Sequence, residues 1–500
     1  MALFVVLVRL ALQLLFGDRS PENITSHILS SLRLAGWVLA FGVLNLVVDF
    51  KKLFSKSPTL FRNFTSALSI ALALVPAMTA TAFRVRNAAR LRTHRRGFQL
   101  VRSIAVPVLS SAIDQALNLA DSMEARSTTQ NPVSEINLRN ISFNYEADKP
   151  ILNSIDFKAE PGSITVVHGN TGCGKSTLLK VLHSKTPGSA MVGQFPRDTF
   201  VADTVFDELA FAPRQQDKTS DEIRTLVGKL VTKFDLTPTD SLLELSAGWQ
   251  QRVAIAAALA SGSKVILLDE PFSALDQAGS TLLVDTLEKL KTAGVTIVIA
   301  EHRTLELLQL ADQFLQLSNG KLTAKKPRPV KLVAAKPTKG TVRVLLGANG
   351  SGKTTFLNQQ AQTRGVLVPQ PASDLLFLDT VAAELSQSDK DAKVGDGTTQ
   401  SLFSSFVASF DESQNPRDLS EGQKLALAIS IQLTRQTELL MLDEPTLGFD
   451  LASRQNLVNQ LSRIAEMGVE VLVATHDQEF AVAIASETIA IERAVELAKQ

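Results

Sequence analysis

Two nine-residue stretches have the residue types and spacing to hold phosphate: Gly169-Asn170-Thr171-Gly172-Cys173-Gly174-Lys175-Ser176-Thr177 and Gly347-Ala348-Asn349-Gly350-Ser351-Gly352-Lys353-Thr354-Thr355. Their glycines let the backbone curl so that successive N–H groups point inward at an anion, and a following helix adds the positive end of its dipole. Lys175 and Lys353 are placed to reach the β and γ phosphates of a nucleotide. Ser176 and Thr354 each offer a hydroxyl to Mg2+.

That chemistry needs a strand before the loop and a helix after it. Ile164-Thr165-Val166-Val167 and Val342-Arg343-Val344-Leu345-Leu346 are β-type runs leading into the loops, and helix-forming residues follow each. A further run, Val265 to Leu268, ends in Asp269-Glu270, as expected where a buried parallel sheet opens onto a nucleotide. Asp269 would approach Mg2+, and Glu270 would position or deprotonate an attacking water. The run Val295 to Ala300 delivers Glu301-His302.

In this order the motifs resemble those of the ABC transporter ATPases. The resemblance implies that Tyr145, closing the alternating run Ile136 to Tyr145, stacks on adenine. It implies that Gln194 is the Q-loop glutamine on Mg2+, and that Ser273-Ala274-Leu275-Asp276 is the D-loop. His302 becomes the switch histidine. Leu245-Ser246-Ala247-Gly248-Trp249-Gln250 resembles the signature LSGGQ, with Ala247 and Trp249 as departures and Ser246 and Gly248 retained. The order then repeats with Lys353, Gln370, Leu419-Ser420-Glu421-Gly422-Gln423, Asp443-Glu444, Leu447-Gly448-Phe449-Asp450 and Thr475-His476-Asp477, an internal repeat that is strong evidence by itself. No aromatic stands in for Tyr145 before Gly347. The intervals Lys175–Gln194 and Lys353–Gln370 are short for the family, so both halves are expected to have lost most of the small antiparallel β-subdomain.

The family's domains pair head to tail. Carried over, site one joins Tyr145, Lys175 and Glu270 to Ser420, Gly422 and Gln423. Site two joins Lys353 and Glu444 to Ser246-Ala247-Gly248-Trp249, and His476 is the second switch histidine. Site one, with the aromatic and the regular signature, is expected to carry most of the turnover.

Fifty-one Lys and Arg balance 50 Asp and Glu, so whole-chain charge excludes little. The single Cys173 rules out an intrachain disulfide framework and suits a reducing compartment. A secretory leader is not expected, since the start lacks a basic region and a cleavage pattern. Residues 1–130 hold apolar stretches at Ala2–Phe16, Leu34–Val48 and Asn63–Phe83; the last, without charge, is long enough to cross a bilayer. Seven arginines and no acid follow between Phe83 and Arg102, as on the cytoplasmic side of a span, with too few aromatics for a nucleic-acid surface. Asn131-Pro132 marks a boundary. Lys321 to Lys339, basic and bearing Pro327, Pro329 and Pro337, reads as an extended linker.

Beside those ATPase motifs, the first 130 residues resemble the T component of energy-coupling factor (ECF) importers. Ala125-Arg126-Ser127 and, more loosely, Arg95-Arg96-Gly97 match its coupling motifs, which makes Arg126 and Arg96 the coupling residues. The expected fold class is therefore an α-helical transmembrane domain (1–130) followed by two α/β P-loop ABC ATPase domains (134–322 and 330–500). The resemblance implies ATP and Mg2+ as cofactors, the cell membrane as location with the ATPases facing the cytoplasm, and a micronutrient as cargo. Its partners would be the lipid bilayer, a substrate-binding S component and, since this T region is short, a further T-type subunit, with no nucleic acid. The rival reading is a soluble tandem ABC ATPase acting on ribosomes or nucleic acid, which leaves Asn63–Phe83 unexplained.

Overall fold

The computed structural model describes residues 133–146, 149–328 and 330–491, together with 83–84, 86–88, 91–92, 119 and 123. The chain divides into two compact units, Met1–Ala73 and Leu74–Gln500, and every described residue lies in the second.

Two parallel sheets organise that unit. In the first half, β1 (Ile136–Glu146) and β2 (Lys149–Ala159) form an antiparallel pair. The main sheet comprises β3 (Ile164–His168), β4 (Ala190–Val192), β5 (Val265–Asp269), β6 (Thr296–Ala300), β7 (Gln313–Ser318) and β8 (Lys321–Ala324), in the order β4-β5-β6-β3-β7-β8. It is parallel except for the last pair. The second half repeats it with β9 (Val342–Leu346), β10 (Val366–Val368), β11 (Leu439–Asp443), β12 (Glu470–Thr475) and β13 (Glu487–Ala490), all parallel in the order β10-β11-β12-β9-β13.

The period-2 alternation of strand side chains explains why these strands are apolar throughout: each feeds a core on both faces. Ile164, Val166, Ile266, Leu268, Ile297 and Ile299 enter one core, while Val167, Val265, Leu267, Val298 and Ala300 enter the other. Val344, Leu442 and Val473 are likewise set against Leu345, Met441 and Ala474 in the second half. Helices Val205–Gln215, Ser220–Phe234 and Ala247–Ala260 stand beside the first sheet, and Val381–Ala392, Thr398–Phe406 and Glu421–Leu433 beside the second.

The halves differ where the chain enters them. The first keeps a substantial antiparallel layer, since β1 and β2 supply Ile136, Ile141, Leu152, Ile155 and Phe157 to the outer core. The expected loss of that layer is thus corrected for the first half. Ahead of β9 the chain is an extended linker fastened to the second half. Leu332 donates its N–H to Glu479 (3.1 Å), Val333 to Gln455 (2.7 Å) and Ala335 to the Ala483 carbonyl (3.0 Å). With no hairpin there, nothing can present an aromatic as β1 presents Tyr145.

The expected α-helical transmembrane domain is corrected, and with it the placement in the cell membrane. Among the described residues no helix is long and apolar enough to cross a membrane. All of the three apolar stretches except Phe83 lie outside the described residues, as do Arg96 and Arg126. Of the described helical positions directly beyond them, from Arg84 to Arg92, two are buried against protein while Arg84, Arg86 and Asn87 are exposed. Ala88 enters the second half's core, and Arg92 is 5% exposed. A bilayer, an S component and a further T-type subunit lose their footing as partners, because each presupposed that membrane domain. The exclusion of nucleic acid, part of the same membrane reading, goes too.

Candidate functional site

Both phosphate loops follow an interior strand of their sheet, β3 and β9, and end on a left-handed glycine, Gly174 (φ 100°) and Gly352 (φ 93°), from which the helices Lys175–Lys185 and Lys353–Thr363 start. Only glycine adopts that turn at no steric cost. Lys175 donates to the carbonyls of Gly169 (3.0 Å) and Asn170 (3.1 Å). Lys353 does the same with Gly347 (2.6 Å) and Ala348 (2.9 Å). Each buried ammonium is thus folded back over its own loop.

The carboxylates arrive at the carboxyl ends of β5 and β11. Glu270 and Glu444 both sit at φ 44°, an uncommon conformation for a side-chain-bearing residue, fixed by backbone bonds from their N–H groups to Ala300 (2.8 Å) and Ala474 (2.8 Å). Glu270 lies 3.9 Å from the Lys175 ammonium and 3.5 Å from His302 Nδ1, and Gln194 Nε2 donates to it at 3.4 Å. Glu444 lies 3.1 Å from Lys353, and its other oxygen meets His476 Nδ1 at 2.9 Å and the Thr475 hydroxyl at 3.1 Å. Burial works against the Glu444 carboxylate, but His476 and Lys353 outweigh it and hold the group below its usual range.

Asp269 and Asp443 behave differently. Burial pushes both carboxyls up, against the opposing hydroxyls of Ser176 and Thr354, the latter donating to Asp443 at 2.6 Å. In each, Oδ1 is buried and has no hydrogen-bond partner among the described residues. A desolvated, orphaned carboxylate oxygen beside a loop hydroxyl is the environment a small divalent cation relieves, so the residues fit Mg2+, whose remaining ligands would be phosphate and water. Gln370 lines the same cavity as Lys353 and Thr354.

The two halves meet head to tail through reciprocal bonds. Thr171 N–H of the first loop donates to Asp450 Oδ2 (2.8 Å), and Asn349 N–H of the second donates to Asp276 Oδ2 (3.2 Å). Each aspartate also caps its following helix with the other oxygen, Asp276 on Gly279 (2.9 Å) and Asp450 on Ser453 (2.8 Å). Despite burial, the Ser453 and Thr171 N–H groups keep Asp450 below the ordinary range. A cavity of about 680 Å3 opens along this seam. Ser246, Ala247 and Ala274 wall it on one side, and Asn349 to Thr355, Glu444 and His476 on the other.

Sequence reasoning missed three features. The signature serines are held unequally: Ser420 forms a capping box with Gln423, whereas Ser246 makes no side-chain cap, and Trp249 at the third helical position has no acceptor to return the reciprocal bond and faces Arg252 instead (5.1 Å, ring centroid to guanidinium). Gly248 is also required structurally, since an added Cβ would come within 3.0 Å of Gly279 Cα. Finally, the arginine seen at work is Arg92, which donates to the Leu375 carbonyl (2.7 Å) and pairs with the fully buried Glu384, while Arg84 pairs with Asp374 at 2.8 Å. Burial raises Asp374 to about 6 even so. Only the position of a run of arginines, not the partner of each, was readable beforehand. Tyr145 is 64% exposed, edge-on to Phe143, with its hydroxyl 3.4 Å from Thr177 Oγ1.

Residues 152–273 match the family described as "ABC transporter", and residues 363–483 one described as "AAA domain, putative AbiEii toxin, Type IV TA system". A Pyrococcus furiosus protein named "Putative ABC transporter ATP-binding protein" is 33% identical over 212 residues, covering 37% of this chain and 81% of that relative. The chain belongs to the ABC transporter ATP-binding protein family. A Streptomyces coelicolor ABC ATPase of the same description is 27% identical over 515 residues, 71% of this chain and 92% of its own. The fold also resembles a solved tandem ABC protein in the "Model of ribosome-bound archaeal Pelota and ABCE1" (TM-score 0.50, 19% identity, 70% of this chain and 76% of that one). Tandem ABC ATPase domains imply ATP binding and hydrolysis. These matches lend nothing to a T component, an S component or vitamin uptake.

Proposed function

We propose that this chain is a tandem ABC ATPase in which two composite ATP sites, closed across one seam, convert ATP binding and hydrolysis into movement of the halves, and that the movement is delivered to a ribosome or another nucleic-acid assembly. The reading rests on the reciprocal bonds between each phosphate loop and the opposite D-loop aspartate. The functional units are residues 134–322 and 330–500.

Lys175 and Lys353 exchange their loop carbonyls for the β and γ phosphates, and the loop N–H groups bind the same oxygens. Tyr145 stacks on adenine in site one. Glu270 and Glu444 orient the attacking water, with His302 and His476 holding the phosphate side of the reaction. Ser176, Gln194 and Asp269 in one site, and Thr354, Gln370 and Asp443 in the other, would hold Mg2+, which neutralises charge on the transferred phosphoryl group when bound. Ser246, Gly248, Ser420 and Gly422 contribute donors from across the seam. Site one, which has the stacking aromatic, carries most of the turnover.

The choice of target is supported by the linker. Lys325, Lys326, Arg328, Lys331, Lys336 and Lys339 are exposed, no acid lies between Lys321 and Lys339, and the backbone beneath them is fastened down. The ribosome-bound fold neighbour points the same way. Steady-state ATPase assays of Glu270→Gln and Glu444→Gln test the site order: Glu270→Gln is expected to remove most turnover, and loss with Glu444→Gln alone would reverse it. Fractionation of cell extract tests the target: co-sedimentation with ribosomes, released by salt, is expected. Retention in membranes through a high-salt wash would refute it.

A further inference from the structure

Directly before the switch histidine of site one stands a carboxylate that nothing above uses. Glu301 is fully buried at the end of β6, whose register with β5 pairs Ala300 with Asp269. The same register in the second half pairs Ala474 with Asp443, so Thr475 is its equivalent. Glu301 Oε1 accepts the N–H groups of His302 (2.9 Å) and Arg303 (3.0 Å), and Oε2 accepts that of Phe272 (3.2 Å). Its Oε1 also lies 3.3 Å from His302 Nδ1, while Glu270 Oε1 lies 3.5 Å from the same nitrogen; neither contact is a hydrogen bond, so both act on the ring through charge.

We propose that Glu301 is a positioning residue for hydrolysis in site one, which sets a second carboxylate against His302 and so holds the ring beside Glu270 by charge, a device that site two replaces with the uncharged Thr475. The inference rests on the assignment of Glu270 and His302 above. In site two the ring is hydrogen-bonded to a single carboxylate among the described residues, at 2.9 Å, and Thr475 spends its hydroxyl on that carboxylate.

A buried carboxyl would ordinarily be neutral, and burial does push Glu301 up, with the adjacent His302 first among the opposing groups. Every backbone contact it makes is as acceptor, which favours the carboxylate. Burial likewise opposes charge on His302, yet the Glu270 contact and the Glu301 charge outweigh it and raise the imidazole. The other charges around the ring are Lys175 and Arg303 from its own half and, across the seam, Asp450, Arg454, His476 and Asp477. Two carboxylates beside one ring nitrogen favour the charged imidazole and draw it toward Glu270.

The test uses the full chain carrying Glu444→Gln, so that turnover reports site one. Glu301→Gln removes the charge at constant size, and Glu301→Thr installs the residue with which the second half already folds. Both are expected to lower kcat by about 10-fold, as loss of an outer orienting partner does, with KM for ATP within about 2-fold. The alkaline fall of the pH–rate profile should move to lower pH, because a ring deprived of one carboxylate loses its proton sooner. Nitrogen-15 histidine NMR, with His302 assigned by His302→Asn, should show the same fall in its titration midpoint. An unchanged midpoint in both variants, or a loss confined to KM, overturns the proposal. Should Glu444→Gln alone abolish turnover, the site order fails instead, and the NMR midpoint still decides the role of Glu301.

Discussion

Ser246 and Ser420 occupy equivalent helix starts and are bound in different ways. Ser420 Oγ accepts from Gln423 N–H (3.3 Å) while Gln423 returns a bond to Ser420 N–H (3.0 Å), so this serine works for the helix as well as for any phosphate. Ser420→Ala should therefore destabilise the chain by about 1 kcal/mol, read from a urea titration. Ser246→Ala removes no cap and should leave stability within about 0.5 kcal/mol, while weakening nucleotide binding in the seam cavity, measured with a fluorescent ATP analogue. Only the reciprocal half of that contrast had a signal in the sequence, one that went unread: Ser420-Glu421-Gly422-Gln423 places an acceptor three residues on and Ser246-Ala247-Gly248-Trp249 does not. Most single-residue assignments were readable because a phosphate loop or a strand-end carboxylate tolerates few alternatives in type or spacing. Glu301 was in view too, as a charge closing an apolar strand. Its meaning depends on a hydrogen-bond set that only the folded chain displays.

At the scale of elements, the strands that carry the phosphate loops and the paired carboxylates were legible as short apolar runs, and the structure places those runs side by side as parallel strands. The N-terminal region followed less well. A long uncharged stretch beside arginines satisfies the pattern of a membrane span, but the pattern contains no term for a protein surface ready to receive the arginines. Arg92 finds such a surface: Glu384, whose oxygens also take the Leu378 N–H (2.7 Å), and the Phe377 ring 5.6 Å from its guanidinium. Truncating it strands a buried carboxylate. Arg92→Ala is expected to cost about 3–5 kcal/mol in chemical denaturation, whereas replacing Arg92 and Glu384 together by Met and Gln should recover much of that loss. No recovery in the double variant would mean that Arg92 acts through its carbonyl bond to Leu375 instead.

For the molecule as a whole, the seam depends on two aspartates that each serve two masters. Asp450→Asn retains an oxygen for the Ser453 cap and removes the charged acceptor from Thr171 N–H; Asp276→Asn does the same opposite Asn349. Each should lower kcat/KM by about 10-fold at the site whose loop it abandons, the scale of one charge-assisted hydrogen bond, with little change in thermal midpoint. A matching drop in melting temperature would assign the aspartates to folding rather than to the seam. The head-to-tail pairing itself was foreseeable from duplicated motifs, whereas the unequal entry into the two halves was not, because a missing hairpin leaves no residue to read.

The linker fastened along the second half has a kinetic corollary. Both faces of the seam travel on one polypeptide, so their encounter is unimolecular and the local concentration of each for the other is set by chain geometry. Dilution cannot part them, and neither half can be traded for a foreign partner without cutting the chain.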